Sequence, residues 1–117
     1  MAVSTLISFP ATAMRGEVIE IRASIRHPME TGYRRSAEGA MMPRDLIRRF
    51  SCHFETTDQL GLKRARAQIF AADLFASIAA NPYMAFHLRA TVSGVLEFAW
   101  VGDNGFTQRE RIAFAVR

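Results

Sequence analysis

The chain has 117 residues, a formal net charge of +4, 50% hydrophobic and 22% charged residues, and one cysteine. That length suits one domain, taken as residues 1–117, able to bury roughly two-thirds of its unfolded surface without metal or disulfide staples. The lone Cys52 excludes an internal disulfide and any CxxC motif, and no apolar run approaches the ~18–20 residues of a membrane helix. Met1 to Met14 reads MAVSTLISFPATAM, with no basic n-region and no long apolar core, so it is a poor signal peptide. Ten of the fifteen basic residues fall between Arg22 and Arg66. Such a concentration either attracts anions or simply solvates one face.

Residues 1–14 read as an edge strand and lead-in. Val3, Thr5, Ile7 and Phe9 alternate up to Pro10, a residue tolerated at sheet edges. From Glu17 to Arg26 the period is two. Ile19, Ile21, Ala23 and Ile25 share one face and Glu20, Arg22, Ser24 and Arg26 the other, the pattern of a half-buried strand. His27-Pro28 ends it, because proline lacks an amide hydrogen and biases the preceding residue toward extended backbone. The turn from His27 to Arg35 then gathers an imidazole, a thioether, a carboxylate, a phenol and two guanidinium groups, and Gly32 can take a positive φ. Loops on a rigid scaffold often carry function. A polar loop continues to Arg44. Leu46 to Glu55 is the next strand, with Phe50, Cys52 and Phe54 inward and Arg49, Ser51 and His53 outward, which places Cys52 in the core as a small hydrophobe.

After a polar connection at Thr56 to Gly61, Ala65, Ala67, Ile69 and Ala71 share a face opposite Arg64, Arg66 and Gln68. This predicts a strand to about Phe70 and a turn or helical turn from Phe75 to Ala80. Asn81-Pro82 is a turn signal. Tyr83 to Thr91 sets Met84, Phe86, Leu88 and Ala90 against Ala85, His87 and Arg89. Ser93-Gly94 turns the chain, and Val95 to Val101 alternates Leu96, Phe98 and Trp100 with Glu97 and Ala99. Asp103-Asn104-Gly105 is a hairpin turn, since asparagine and glycine accept left-handed backbone. The last strand, Phe106 to Val116, puts Ile112, Phe114 and Val116 on one face and Arg109 and Arg111 on the other. About seven short strands with no room for a long helix predict an all-β, immunoglobulin-like antiparallel β-sandwich.

The residues offer no catalytic constellation. His27, His53 and His87 form no HxH or HExxH motif, no glycine-rich phosphate loop is present, and the carboxylates are scattered. The reading is a non-enzyme without metal or cofactor. Its competitor is a thiol-based redox protein or enzyme acting through Cys52, which requires an exposed, basic site that depresses the thiol pKa. Nucleic-acid binding is disfavoured because the aromatics alternate with the arginines and face the core instead of stacking on bases. A sheet face carrying Met84, Phe86, Met41 or Met42 would suit another subunit, with plain core as the alternative for each.

Four stretches carry a likeness: STLISFPATAMRGE (4–17), RGEVIEIRASIRHPMETGYRR (15–35), MPRDLIRRFSCHFE (42–55) and ADLFASIAANPYMAFHLRATVSGVLEFAWVGDNGF (72–106). They resemble the SoxZ family, the smaller subunit of the SoxYZ carrier of bacterial sulfur oxidation, and HPMETG followed by IAANPY is the specific combination. The connection from Glu55 to Phe70 departs from the family pattern in looking longer. The resemblance implies an immunoglobulin-like sandwich in a tight heterodimer with SoxY, whose cysteine on a glycine-rich arm holds thiosulfate-derived sulfur. It implies transient contacts with SoxAX, SoxB and SoxCD, and a periplasmic protein exported together with SoxY. This chain ends Ala113 to Arg117 without a glycine-cysteine tail, so the covalent carrier is expected to be the partner. Recognition of that partner is expected at His27, Met29, Glu30, Tyr33, Asn81 and Tyr83, with Arg34 and Arg35 supplying a field for the anionic cargo. Self-association of the isolated chain stays open.

Overall fold

A computed structural model describes residues 4–27, 29–30, 32–57, 64–75 and 82–117. Among these residues lie β1 (Ser4–Ser8), β2 (Thr12–Ala13), β3 (Val18–Arg26), β4 (Ile47–Thr57), β5 (Arg64–Asp73), β6 (Tyr83–Arg89), β7 (Gly94–Gly102) and β8 (Thr107–Val116). They form a three-stranded sheet, β1-β3-β6, and a five-stranded sheet, β2-β8-β7-β4-β5. The all-β sandwich read from the alternating pattern is the fold. Its ladders are antiparallel except for β2, a two-residue strand that runs parallel to β8 and that the sequence reading did not foresee. The lead-in therefore serves both sheets: β1 edges the smaller one beside β3, and the chain passes Phe9-Pro10 to seal the larger one.

The inward residues are those that alternation selects. Ile19, Ile21, Ala23 and Ile25 of β3 face Phe50 and Cys52 of β4, Leu96, Phe98 and Trp100 of β7 and Phe114 of β8, all buried. Phe50 lies 5.1 Å from Trp100, 6.4 Å from Phe98 and 6.2 Å from Phe86 across the sheet gap. Phe70 stacks on Phe86 at 4.4 Å, with ring planes 3° apart, and so ties β5 to β6. Met84 and Phe86 are thus core residues, whereas Met41 is exposed.

Three local expectations change. A β-bulge in β5 opposite Cys52 and His53 breaks the expected alternation, so Cys52 pairs with Phe70 and Phe50 with Ala72. Ile69, Phe70 and Ala72 consequently all pack on the core, and the strand runs on to Asp73. A bulge adds one unpaired residue and reverses the inside–outside parity beyond it. Gly94 starts β7 instead of forming a turn. A Cβ there would lie 2.5 Å from the Glu55 carbonyl oxygen, so glycine permits the close approach of β7 to β4. His53 is not a plain surface histidine: its Nδ1 is buried and finds no hydrogen-bond partner among the described residues. Burial, and then the guanidinium of Arg66, lower its pKa. The turn or helical turn expected at Phe75 to Ala80 falls, apart from exposed Phe75, outside the described residues, as do Pro28, Val3 and most of the 56–61 connection.

Removing the Phe50 ring leaves a cavity at the meeting point of both sheets. Phe50→Ala is expected to cost about 3–5 kcal/mol in urea unfolding, and Phe75→Ala, at an exposed ring, about 0.5 kcal/mol or less.

Candidate interaction site

The sequence-selected residues belong to a long excursion between β3 and β4 that folds back on itself. Glu30 and Asp45 exchange both backbone hydrogen bonds at 2.8 Å. Farther out, the Met42 amide donates to the Arg34 carbonyl at 2.7 Å and the Ser36 amide to the Ala40 carbonyl at 2.7 Å. The result is an irregular hairpin with its tip near Ser36–Ala40. Gly32 takes φ +90°, and a Cβ there would come within 3.1 Å of the Arg44 Cβ, so the hairpin's two arms can close only over glycine.

The base of the hairpin is held by two groups. His27 closes β3 with its side chain only 4% exposed, edge-on to Phe106 at 4.9 Å, and Nε2 is 3.8 Å from Asp45 Oδ1. Its Nδ1 has no hydrogen-bond partner among the described residues. The second group is Asp103, in the turn between β7 and β8. Its Oδ2 accepts the Leu46 amide at 3.1 Å and the Arg44 Nε at 2.9 Å, and Arg48 lies 3.6 Å from Oδ1. Asn104, at φ 60°, donates its side-chain amide to the Arg44 carbonyl at 3.2 Å. Burial pushes the Asp103 pKa up, but the Leu46 amide, Arg44 and Arg48 outweigh it and hold the carboxyl below its ordinary value. The DNG turn was legible in sequence as a hairpin. Its aspartate's reach to a loop some sixty residues earlier was not, although an acid opening such a turn is a known hydrogen-bonding position.

The expected recognition residues divide by exposure. His27 is interior. Met29 is half-buried against the core, and its sulfur accepts the Ile47 amide at 3.3 Å. Glu30 is half-buried and binds Arg34 through both Nε (3.0 Å) and Nη2 (2.7 Å). Tyr33 is 84% exposed, Arg34 and Arg35 are exposed, and Arg35 donates to the Gly39 carbonyl at 2.8 Å. Tyr83 opens β6, where the Pro82 carbonyl accepts the Ile25 amide. It therefore sits at the same end of the sandwich as the hairpin. On the outer face of the smaller sheet it shares a cross-strand row with Ser24 and Leu6, and both large side chains in that row are exposed. Asn81 lies outside the described residues. The structure thus presents Tyr33, Arg34, Arg35 and Tyr83 outward, while His27, Met29 and Glu30 shape the hairpin from behind.

Cys52 is fully buried, and burial pushes its thiol up to about 12. A thiolate nucleophile needs the opposite environment. Among the described residues no three His, Cys, Asp or Glu side chains gather as a metal site.

Two outcomes are expected. Cys52 alkylates at pH 8 at under about one-hundredth of its rate in denaturant, followed by mass spectrometry. Because the folded Asp103 pKa is depressed, its contribution to stability is complete above the unfolded carboxylate pKa and fades as pH falls through the folded value. Asp103→Asn therefore loses stability at neutral pH, and its thermal midpoint falls less than that of the parent chain as the pH drops below about 4.

The chain is similar in fold to a superoxide reductase (neelaredoxin) from Ignicoccus hospitalis, with 18% identity, a TM-score of 0.72, and coverage of 97% of this chain and 80% of that one. A putative superoxide reductase from Thermotoga maritima gives 12% identity and a TM-score of 0.69, covering 97% and 85%. The neelaredoxin of Archaeoglobus fulgidus gives 15% and 0.60, covering 95% and 86%. At such identities the likeness is one of fold, and the three dispersed histidines do not supply a metal centre. A sequence comparison with curated proteins finds no significant match. The family described as "Sulphur oxidation protein SoxZ" matches residues 7–113. The chain belongs to the SoxZ family of sulfur-oxidation proteins.

Proposed function

We propose that this chain is the non-catalytic subunit of a SoxYZ-type sulfur carrier. In this reading residues 1–117 form one domain that binds SoxY and helps present sulfur adducts on SoxY's cysteine to SoxAX, SoxB and SoxCD. The pair works in the periplasm, which the chain reaches by co-export with SoxY. The observation that carries the reading is family membership across residues 7–113. The burial of Cys52, the one cysteine of the 117 residues, is in keeping with it, because a cargo thiol must reach solvent. The partner contact is assigned to the exposed Tyr33, Arg34 and Arg35, on a hairpin that His27, Met29 and Glu30 hold in shape, and to the exposed Tyr83 at the start of β6, with Asn81 also expected to take part. Aromatic and arginine side chains are the types enriched in such contacts.

Purification of the tagged chain from a sulfur-oxidising extract tests this. A stoichiometric partner should appear, and after incubation with thiosulfate the added mass should reside on that partner's cysteine. A sulfur adduct on Cys52, or a chain that purifies without a partner, overturns the reading. Tyr33→Ala combined with Tyr83→Ala should weaken the pairing at least about tenfold, since each removes an exposed aromatic anchor.

A further inference from the structure

The outer face of the larger sheet carries a charge arrangement that alternation alone does not explain. Glu97, central on β7, points away from the core and yet is only 6% exposed. It is covered by arginines from β8, its neighbour on one side, and from β5, which lies beyond β4 on the other. Arg66 of β5 reaches it at 2.6 Å and Arg111 of β8 at 2.8 Å, with Arg109 at 3.6 Å. Glu55 of β4 is the second carboxylate, with a side chain 13% exposed, approached by Arg64 and Arg111 at 3.4 Å and by Arg66 at 3.6 Å. The guanidinium groups of Arg66 and Arg111, and then burial acting in opposition, set the Glu97 carboxyl below its ordinary value. Two carboxylates therefore lie beneath four guanidiniums. The four arginine side chains are 41–75% exposed. Of the neighbouring positions on this face Ser51 and Ala99 are small, and His53 pairs directly across from Glu97.

We propose that this arginine layer is a docking surface for an acidic patch on another protein. Carboxylates that pin arginines in place remove part of the ordering cost an incoming anion would otherwise meet, and the guanidinium fork suits carboxylate oxygens. The uncompensated charge attracts anions. The guanidiniums come from β5 and β8, with β4 and β7 between them, and such a spread favours several spaced carboxylates over one enclosed small ion. The compact extent, about 14 Å across four strands at ~4.8 Å spacing, and the carboxylates at its centre favour a protein patch over a long, uniformly charged polymer. β5 is an edge strand whose residues Arg64 to Gln68 are all exposed, so the layer can be approached from the side as well as from above. This surface lies apart from the hairpin, and the inference does not depend on the carrier reading.

The test uses the full chain, isotope-labelled, in the assembly in which it purifies. It is titrated with a ten-residue glutamate-rich peptide, a single-stranded oligonucleotide of equal charge, and sulfate. The peptide should shift the Nε resonances of Arg64, Arg66, Arg109 and Arg111 saturably, with affinity falling at least about fivefold between 50 and 300 mM salt. Arg64→Gln with Arg109→Gln should weaken it at least about fivefold as well. That pair leaves Arg66 and Arg111 in place over both carboxylates, so folding is preserved. Arg15→Gln with Arg89→Gln, exposed and away from the larger sheet's outer face, should leave peptide binding unchanged. Shifts confined to other residues, no saturation, tighter binding of the oligonucleotide, or equal saturation by sulfate would each overturn the proposal.

Discussion

The packing of Phe50 is the contact on which the rest of the sandwich depends. It sits in β4, next to the edge of the larger sheet, and meets Phe70, Phe98 and Trp100 within its own sheet and Phe86 across the gap. Aromatic rings bury large areas and lock into tilted or offset geometries, so this cluster sets both the spacing of the two sheets and their relative placement. The flanking Phe70–Phe86 stack brings β5 over β6. The bulge in β5 is what allows it, because without the added residue Phe70 would point to solvent and Ala71 inward.

Once the core is set, the polar groups fall into two regions with different physical roles. At one end, Asp103 crosses from the last hairpin to the base of the 29–45 excursion and satisfies an amide while pairing with arginines. A long loop whose apolar anchor is Met29 thereby acquires a defined base. On the outer face of the larger sheet, charge is layered. Glu97 and Glu55 lie close to the backbone, and arginines from β5 and β8 fold over them. Exposed ion pairs contribute little to stability individually. A shared network in which two arginines each touch two carboxylates restricts its members more than any isolated pair does.

The fold relatives illustrate how little a sandwich says about chemistry. Superoxide reductases share the architecture at 12–18% identity, but the histidines of this chain stand at a strand end (His27), on the outer face of the larger sheet (His53) and on the outer face of the smaller one (His87). Architecture positions side chains, and function follows from which side chains are positioned. Here membership of a sulfur-oxidation family comes from the sequence itself, along nearly its whole length.

The sequence by itself determined the class of fold and most of the core. Period-two alternation is a local property, and burying one face of each strand follows from it, as Ile21, Phe98 and Phe114 illustrate. It also located the DNG turn and the burial of Cys52, because both depend on near neighbours in the chain. Tertiary structure alone decided what depends on distant partners. The bulge opposite His53 reverses parity through pairing, which the sequence of β5 does not encode by itself. His27 is interior because Phe106 and Asp45 close over it. Glu97 reads as an ordinary outward residue until β5 and β8 bring Arg66 and Arg111 across it. Charges separated by tens of residues meet only when strand order places them side by side, and hydrophobic periodicity carries no record of that order.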